Sequence, residues 1–322
     1  MSPHSNAVAS VSLPSGKRSA EGTHLMNRSL KVEPAMVEFA KGLELHLANG
    51  RTVLDACGGA AVRVIGHGNE EVQKAMIRQA SKVSYVHTQS YTTPAAEDLA
   101  NFMLDGSPHG LGKAFFICSG SEAVESALKL ARQYFFEKAR RIAYTFYHGN
   151  TMGALSFSSN PARKVPYEDF GYRHVTHVSP AYEYRYKPDE ESTADFTRCL
   201  LEELENEFLA IGASKVIAFV AETVGGATSG CVPPPPGYLR GVRAICDKYG
   251  ILLILDEIMC GTGRCGTYFA FEQEEVTPDV VTVAKGLGDG YCSIAAVLAH
   301  KEQARSITGI RTKLIQFRAP QH

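Results

Sequence analysis

Residues 249–259 read YGILLILDEIM, and residues 278–291 read PDVVTVAKGLGDGY. Each stretch contains a short apolar run that ends in a charged side chain, Asp256 in the first and Lys285 in the second. An apolar run without polar alternation is typical of a strand that is buried on both faces of a parallel sheet. The two stretches therefore predict buried strands, each with a chemically active residue at its carboxyl end.

The rest of the chain repeats a pattern of short apolar runs, polar or glycine-rich turns and amphipathic segments. Such alternation is typical of βαβ units, which build a mostly parallel sheet with helices on both faces. The predicted strands are 114–118, 142–146, 216–221, 251–255 and 280–284. The predicted helices are 121–138, 194–209 and 238–249. The sequence therefore predicts the α/β class.

Polar groups follow every one of these strands. In open parallel α/β sheets, ligands bind beyond the carboxyl ends of the strands. The groups are, in chain order, Ser119-Gly120-Ser121, Tyr147-His148-Gly149, Glu222, Asp256-Glu257 and Lys285. Their arrival at one edge of the sheet predicts a binding site there.

Two of these groups have a functional and a plain structural interpretation. Ser119-Gly120-Ser121 leads from a strand into a helix, where free N–H groups and the helix dipole favour a phosphate; the alternative is an ordinary serine N-cap. Asp256 needs a partner if it is buried. A protonated pyridine nitrogen is one candidate, and a structural salt bridge is the other.

Lys285 lies at the end of a buried strand, and two of the three residues that follow it are glycines. Desolvation would make its amine nucleophilic towards an aldehyde, whereas a strand-end lysine can also extend to solvent. Tyr147 could lie against a flat cofactor or fill the core. His148 could donate a hydrogen bond near that cofactor or be a satisfied core histidine.

Residues 261–266, GTGRCG, match the GxGxxG pattern of dinucleotide-binding folds. That pattern should follow a strand directly and open a helix. Here it follows Asp256 by five positions, and residues 267–271 are aromatic rather than helix-forming. NAD or FAD binding is therefore not expected.

Composition excludes several other classes of function. The net charge of the 322 residues is −1. The sequence contains no stripe of basic residues, which a nucleic-acid partner would require. No apolar run approaches the roughly 20 residues of a membrane span. The tail 1–22 is expected to be disordered and lacks the apolar core of a secretory signal. We expect a cytoplasmic protein rather than a mitochondrial one.

The eight cysteines contain no CxxC pair, which indicates reduced, mostly buried thiols of a cytosolic protein. Cys260 and Cys265 flank the glycine-rich stretch without a histidine or a second cysteine pair beside them. No metal site is therefore expected.

Four motifs together resemble the class III (ornithine/GABA-type) pyridoxal-phosphate (PLP) dependent aminotransferases of fold type I. They are SGSEAVESALKLAR (119–132), YHGNTMGALS (147–156), YGILLILDEIMCGTGRCGTYFAFE (249–272) and PDVVTVAKGLGDGY (278–291). Asp256 and Lys285 stand 29 positions apart, as that signature expects. The similarity runs from about Leu43 to Ala299.

The resemblance implies a PLP cofactor and assigns residues to it. Gly120 and Ser121 would bind its phosphate. Tyr147 would stack on the pyridine ring with His148 beside it, and Ile258 would pack against the other ring face.

The resemblance also implies the catalytic groups. Asp256 would pair with the ring nitrogen, Glu222 would face the ring and the substrate, and Lys285 would form the internal aldimine. Gly58–Ala61 would edge the substrate pocket. An amino donor and a keto or aldehyde acceptor would then react in a ping-pong cycle on a homodimer. A racemase, an aminomutase or a decarboxylase would use the same Asp256 and Lys285.

The resemblance implies a division of the chain and shows where the pattern departs. Segment 23–60 would contribute to a small domain and the pocket edge, and 61–299 would form the PLP-binding large domain. After Ala299 the family continues with His-Gly-x-Thr and a C-terminal small domain, whereas 300–322 reads HKEQARSITGIRTKLIQFRAPQH. We therefore expect that small domain to be largely absent, and a catalytically silent PLP-binding protein is the alternative function.

Overall fold

The computed structural model describes residue 25 and residues 34–105, 109–135, 141–144, 148–158, 165–172, 174–301 and 303–304. The expected tail 1–22 and most of 300–322 lie outside these ranges, as does Tyr147. No helix in the described ranges is long and apolar enough to cross a membrane.

Seven strands form the central sheet. They are β4 (Leu111–Ile117), β5 (Arg141–Tyr144), β6 (Val175–His177), β7 (Val216–Glu222), β8 (Leu252–Asp256), β9 (Val280–Val283) and β10 (Ala295–His300). Their order across the sheet is β4-β10-β9-β8-β7-β5-β6. β10 pairs antiparallel with both β4 and β9, and the remaining pairs are parallel. Six strands therefore run in one direction, and their carboxyl ends meet at one edge, as predicted.

Helices cover both faces of this sheet. They are α4 (Gly120–Tyr134) and α5 (Met152–Phe157) on one face, with α7 (Thr193–Ile211) and α8 (Tyr238–Tyr249) on the other. The alternation within β8 shows the two cores: Leu252 and Ile254 pack in the α4 cluster, whereas Leu253 and Leu255 pack in the cluster with α7 and α8. The prediction of a mostly parallel sheet between two helical layers is confirmed.

Two helix boundaries show how local sequence sets the fold. α8 ends at Gly250, which adopts the left-handed conformation with φ of 62°, as a glycine after a helix commonly does. α4 ends at Tyr134, four residues before the predicted end, because Phe135 leaves the helical conformation and buries its ring.

The N-terminal part lies outside the large sheet. β1 (Val37–Lys41), β2 (Glu44–Leu47) and β3 (Thr52–Leu54) form a small antiparallel sheet. The turn α1 (Gly58–Ala61) and the helices α2 (Glu70–Lys82) and α3 (Pro94–Leu104) follow it. α2 buries none of its residues, although it is amphipathic. A short helix α6 (Glu183–Tyr186) completes the α-helical elements of the described part.

All eight cysteines are free, but the expectation that most are buried is wrong. Only Cys246 and Cys260 are buried, because they lie on the core side of α8 and directly behind the end of β8. The five exposed cysteines lie in loops or on the outer side of α7: Cys57, Cys118, Cys199, Cys231 and Cys292.

Candidate active site

The carboxyl edge of the sheet brings two acids face to face. Glu222 ends β7 and Asp256 ends β8, and they are partners in the register of the two strands. Because both side chains follow an apolar strand, each is carried to the edge by burial of the residues before it.

The carboxylate of Asp256 is buried and held at both oxygens. Oδ2 lies 2.8 Å from Nδ1 of His148, and Oδ1 accepts a hydrogen bond of 3.0 Å from the Ile258 backbone N–H. The Asp256 side chain is 5% exposed and that of His148 is 0% exposed. Since a carboxylate only accepts hydrogen bonds, Nδ1 of His148 carries the proton in this contact. The pair satisfies a charge that would be costly to bury alone.

Burial and charge act on the other two titratable groups of the edge. Burial, with the nearby charge of Asp256, raises the pKa of Glu222 from 4.5 to about 7. Burial lowers the pKa of the Lys285 amine, and Arg264 lowers it further, while Asp256 and Glu222 oppose this shift. A depressed lysine pKa leaves more of the amine neutral and nucleophilic.

The turn after β4 forms a helix N-terminus beside this edge. The Ser119 side chain caps α4 by accepting from the Glu122 N–H at 3.3 Å, so the serine N-cap interpretation is correct for its hydroxyl. The N–H groups of Gly120 and Ser121 belong to the first turn, where the helix supplies no carbonyl partner. A Cβ on Gly120 would lie 2.8 Å from Cδ1 of Ile258. The backbone at Gly120 and the Ile258 side chain therefore share one crevice.

The segment that carries His148 is tied to the same helix. The backbone N–H of His148 donates to Oγ of Ser158 at 3.0 Å. The N–H of Asn150 donates to Oγ of Ser121, in the first turn of α4, at 3.0 Å. Gly149 has φ of 125°, and a Cβ there would lie 2.5 Å from Oγ of Ser121. Only glycine permits this close approach. The segment that carries His148 therefore lies against Ser121.

The Lys285 turn bears the left-handed φ of 34° at the lysine itself, a conformation that is uncommon outside glycine. The turn contacts the loop after β8, because a Cβ on Gly286 would lie 2.5 Å from Oγ1 of Thr262. Asp289 then docks the N-terminal segment by accepting hydrogen bonds from the N–H groups of Val64 and Ile65.

Residues 261–266 do not open a helix; they form turns at the edge of the site. From this stretch, Nη2 of Arg264 donates to the Ala61 carbonyl at 2.6 Å. The α1 turn, Gly58–Ala61, therefore lies beside the loop after β8.

Sequence reasoning gave no role to Glu257, which is 1% exposed. Its carboxylate accepts from Oγ1 of Thr223 at 2.9 Å and from the N–H groups of Ala270 and Phe271 at 2.8 and 2.7 Å. Burial raises its pKa to about 7 against these hydrogen bonds. The available signal was an acid within a buried stretch directly after Asp256.

No group of three or more histidine, cysteine or acidic side chains in the described ranges could hold a metal ion. A mostly parallel α/β sheet whose edge carries a lysine, a buried acid and a helix N-terminus is the arrangement of a class of protein, the PLP-dependent enzymes of fold type I. The chain belongs to the class-III aminotransferases, whose family model matches residues 25–311.

Curated relatives carry aminotransferase names. An uncharacterised aminotransferase of Schizosaccharomyces pombe is 45% identical over 294 residues, covering 89% of this chain and 64% of the relative. The chloroplastic gamma aminobutyrate transaminase 3 of Solanum lycopersicum is 35% identical and matches 90% of this chain and 57% of its own length. The chain thus spans about three fifths of the length of these relatives.

Solved structures agree with the fold. A transaminase from a study of directed evolution by ancestral reconstruction has a TM-score of 0.85 at 30% identity, covering 92% of this chain and 68% of that one. The omega transaminase of Pseudomonas jessenii in complex with PMP has a TM-score of 0.82 at 27% identity, with coverages of 87% and 63%. PLP is the cofactor of this family.

Proposed function

We propose that this chain is a PLP-dependent aminotransferase that moves an amino group from an amino donor to a keto or aldehyde acceptor by a ping-pong mechanism. The observation that carries the proposal is the convergence of Lys285, Glu222 and the His148–Asp256 pair at one sheet edge. The family membership and the transaminase structures support it.

The residues present fit the cofactor. Gly120 and Ser121 would hold its phosphate with first-turn N–H groups, and the absence of a side chain at Gly120 leaves room beside Ile258. Asp256 would accept a hydrogen bond from the ring nitrogen, and Ile258 would pack against one ring face. Tyr147 would stack on the ring.

Bound PLP supplies an electron sink for the bond that breaks at the substrate carbon. The chain's own groups do the rest. Asp256 would hold the ring nitrogen in its protonated form, and Nδ1–H of His148 donates to Oδ2 of Asp256 at 2.8 Å. Nζ of Lys285 would take the proton from the substrate carbon and return it as general base and acid. Glu222 would face the ring and the substrate.

Purified protein mixed with PLP tests this function. We expect a visible absorption band that Lys285→Ala abolishes and that the matched control Lys248→Ala, at an exposed lysine on α8, leaves unchanged. A panel of amino donors should then convert the band to the pyridoxamine form. A band that no donor converts favours the silent PLP-binding protein. Racemised or decarboxylated products without amino transfer favour a racemase, an aminomutase or a decarboxylase.

We also propose a homodimer, a cytoplasmic location and the domain bounds 23–60 and 61–299. The dimer follows from the family resemblance, in which active sites lie between subunits. The free cysteines support a reducing compartment. The central sheet, from Leu111 to His300, supports a large domain over the second range. Sedimentation of the purified chain tests whether it forms the homodimer.

A further inference from the structure

The loop after β8, residues 258–269, contacts the proposed site at three places; we refer to it as the β8 loop. At its start, the Ile258 side chain lies against Gly120. Thr262 lies against Gly286, next to Lys285. Arg264 donates to the Ala61 carbonyl at 2.6 Å. These contacts reach the turn at Gly120, the turn at Lys285 and the N-terminal segment at Ala61.

Glu257 joins the two ends of this loop. It directly precedes Ile258, and its carboxylate accepts from the N–H groups of Ala270 and Phe271, which directly follow the loop. The backbone of the loop is also drawn inward near Glu257, because a Cβ on Gly261 would lie 2.8 Å from the Glu257 carbonyl oxygen. One buried side chain therefore joins the two ends of the twelve-residue β8 loop.

The same carboxylate also secures the end of β7. Oε1 accepts from Oγ1 of Thr223, which directly follows Glu222, while the Thr223 N–H donates to the Asp256 carbonyl at 3.4 Å. The strand ends that carry the paired acids Glu222 and Asp256 are thereby held together, although the like charges of those acids repel each other.

Each of these three donors meets a carboxylate oxygen of Glu257. A glutamine at this position would place an NH₂ group against the Ala270 N–H, and two donors would face each other in a buried site. Resting on the proposed function, we propose that Glu257 is a positioning residue that closes the β8 loop and so holds Ile258, Thr262 and Arg264 against the cofactor site.

The closure can be tested without cofactor. Hydrogen–deuterium exchange of peptides spanning 258–274 should be faster in Glu257→Gln by on the order of tenfold or more, because the Ala270 N–H loses its acceptor. The control is Glu275→Gln, because Glu275 lies beyond these peptides and its ion pair with Arg240 is exposed. Equal exchange in Glu257→Gln and the wild type overturns the proposal.

The effect on the site is measured with PLP itself. We expect Glu257→Gln to weaken PLP binding by about tenfold, the lower range for residues that orient a binding group. It should also lower the circular dichroism of the visible band per bound PLP, whereas Glu275→Gln should stay within about twofold of the wild type. A lowered melting temperature with unchanged PLP affinity and dichroism overturns the positioning role.

A second variant covers the case in which Glu257→Gln does not fold. Thr223→Val removes one of the three donors and keeps the side-chain shape, so it should shift PLP affinity in the same direction by a smaller factor. Unchanged affinity in Thr223→Val then counts against the proposal. If the wild type forms no Lys285-dependent band, the proposed function fails and the positioning role fails with it. The exchange result still reports whether Glu257 closes the loop.

Discussion

Glu222 and Asp256 stand opposite each other in the β7–β8 register, yet only Asp256 has a full set of partners. Oε2 of Glu222 is buried and makes no hydrogen bond within the described part of the chain. Burial and the neighbouring Asp256 raise the pKa of Glu222 to about 7. Glu222 is therefore mainly protonated below neutral pH.

This shift has a definite sign for stability. The folded state binds the Glu222 proton more tightly than the unfolded chain, so the contribution is fully present below pH 4.5 and is lost as the pH rises to about 7. Glu222→Gln removes this dependence. We expect the wild type to lose up to about 3 kcal/mol relative to the variant over that interval. Urea unfolding of the cofactor-free proteins at both ends of the interval measures it.

The control for this prediction is Glu202→Gln on the exposed face of α7. Its stability should follow the wild-type pH dependence, because an exposed ion pair contributes little. Parallel curves for the wild type and Glu222→Gln would show that Glu222 ionises freely in the folded protein.

Asp279, just before β9, joins elements at the opposite edge of the sheet from Lys285. Its Oδ2 accepts from the Leu253 N–H of β8 and from Nη1 of Arg243 of α8, each at 2.7 Å. Oδ1 accepts from Nε2 of Gln303 at 2.8 Å. A single carboxylate thus fixes β8, β9, α8 and the turn after β10.

Asp279→Asn places an NH₂ group among these donors and removes the buried ion pair of Arg243, which keeps its pair with the exposed Asp247. We expect a loss of about 3 kcal/mol in the free energy of unfolding, with unchanged PLP affinity per folded molecule. Glu275→Gln is the matched control, because its ion pair with Arg240 is exposed, and it should cost less than about 1 kcal/mol. Equal destabilisation by the two variants would remove the role assigned to Asp279.

Elements with strong local signals were predictable from the sequence. α8 has the predicted bounds because its apolar spacing ends at a glycine, and the edge residues follow from strands whose apolar runs stop at a polar group. β10 was not among the predicted strands, and its reversed direction depends on pairing with β4 and β9 rather than on its own residues. The contact of His148 with Asp256 spans 108 positions and needs the folded sheet.

At the scale of the whole molecule, apolar exposure is concentrated in the N-terminal part. Phe39 of β1 is 58% exposed, Ile77 of α2 is 67% exposed and Phe102 of α3 is 73% exposed. The strands β7, β8, β9 and β10, by contrast, bury all their apolar residues between two helical layers. The chain thus combines a well-packed centre with an apolar outer surface, which is a feature of interaction sites.

This distribution predicts that the purified chain binds an apolar fluorescent dye at neutral pH while its unfolding stays cooperative. The double variant Ile77→Lys/Phe102→Lys should lower dye fluorescence by about half or more, yet change stability by less than about 1 kcal/mol, because both side chains are exposed. Leu204→Ala is the contrasting control. It empties a buried site on α7 and should cost about 2–5 kcal/mol without reducing dye binding to the folded chain. Absence of dye fluorescence from the wild type would show that the apolar surface of α2 and α3 is covered in solution. Unchanged fluorescence in the double variant would show that the dye binds elsewhere.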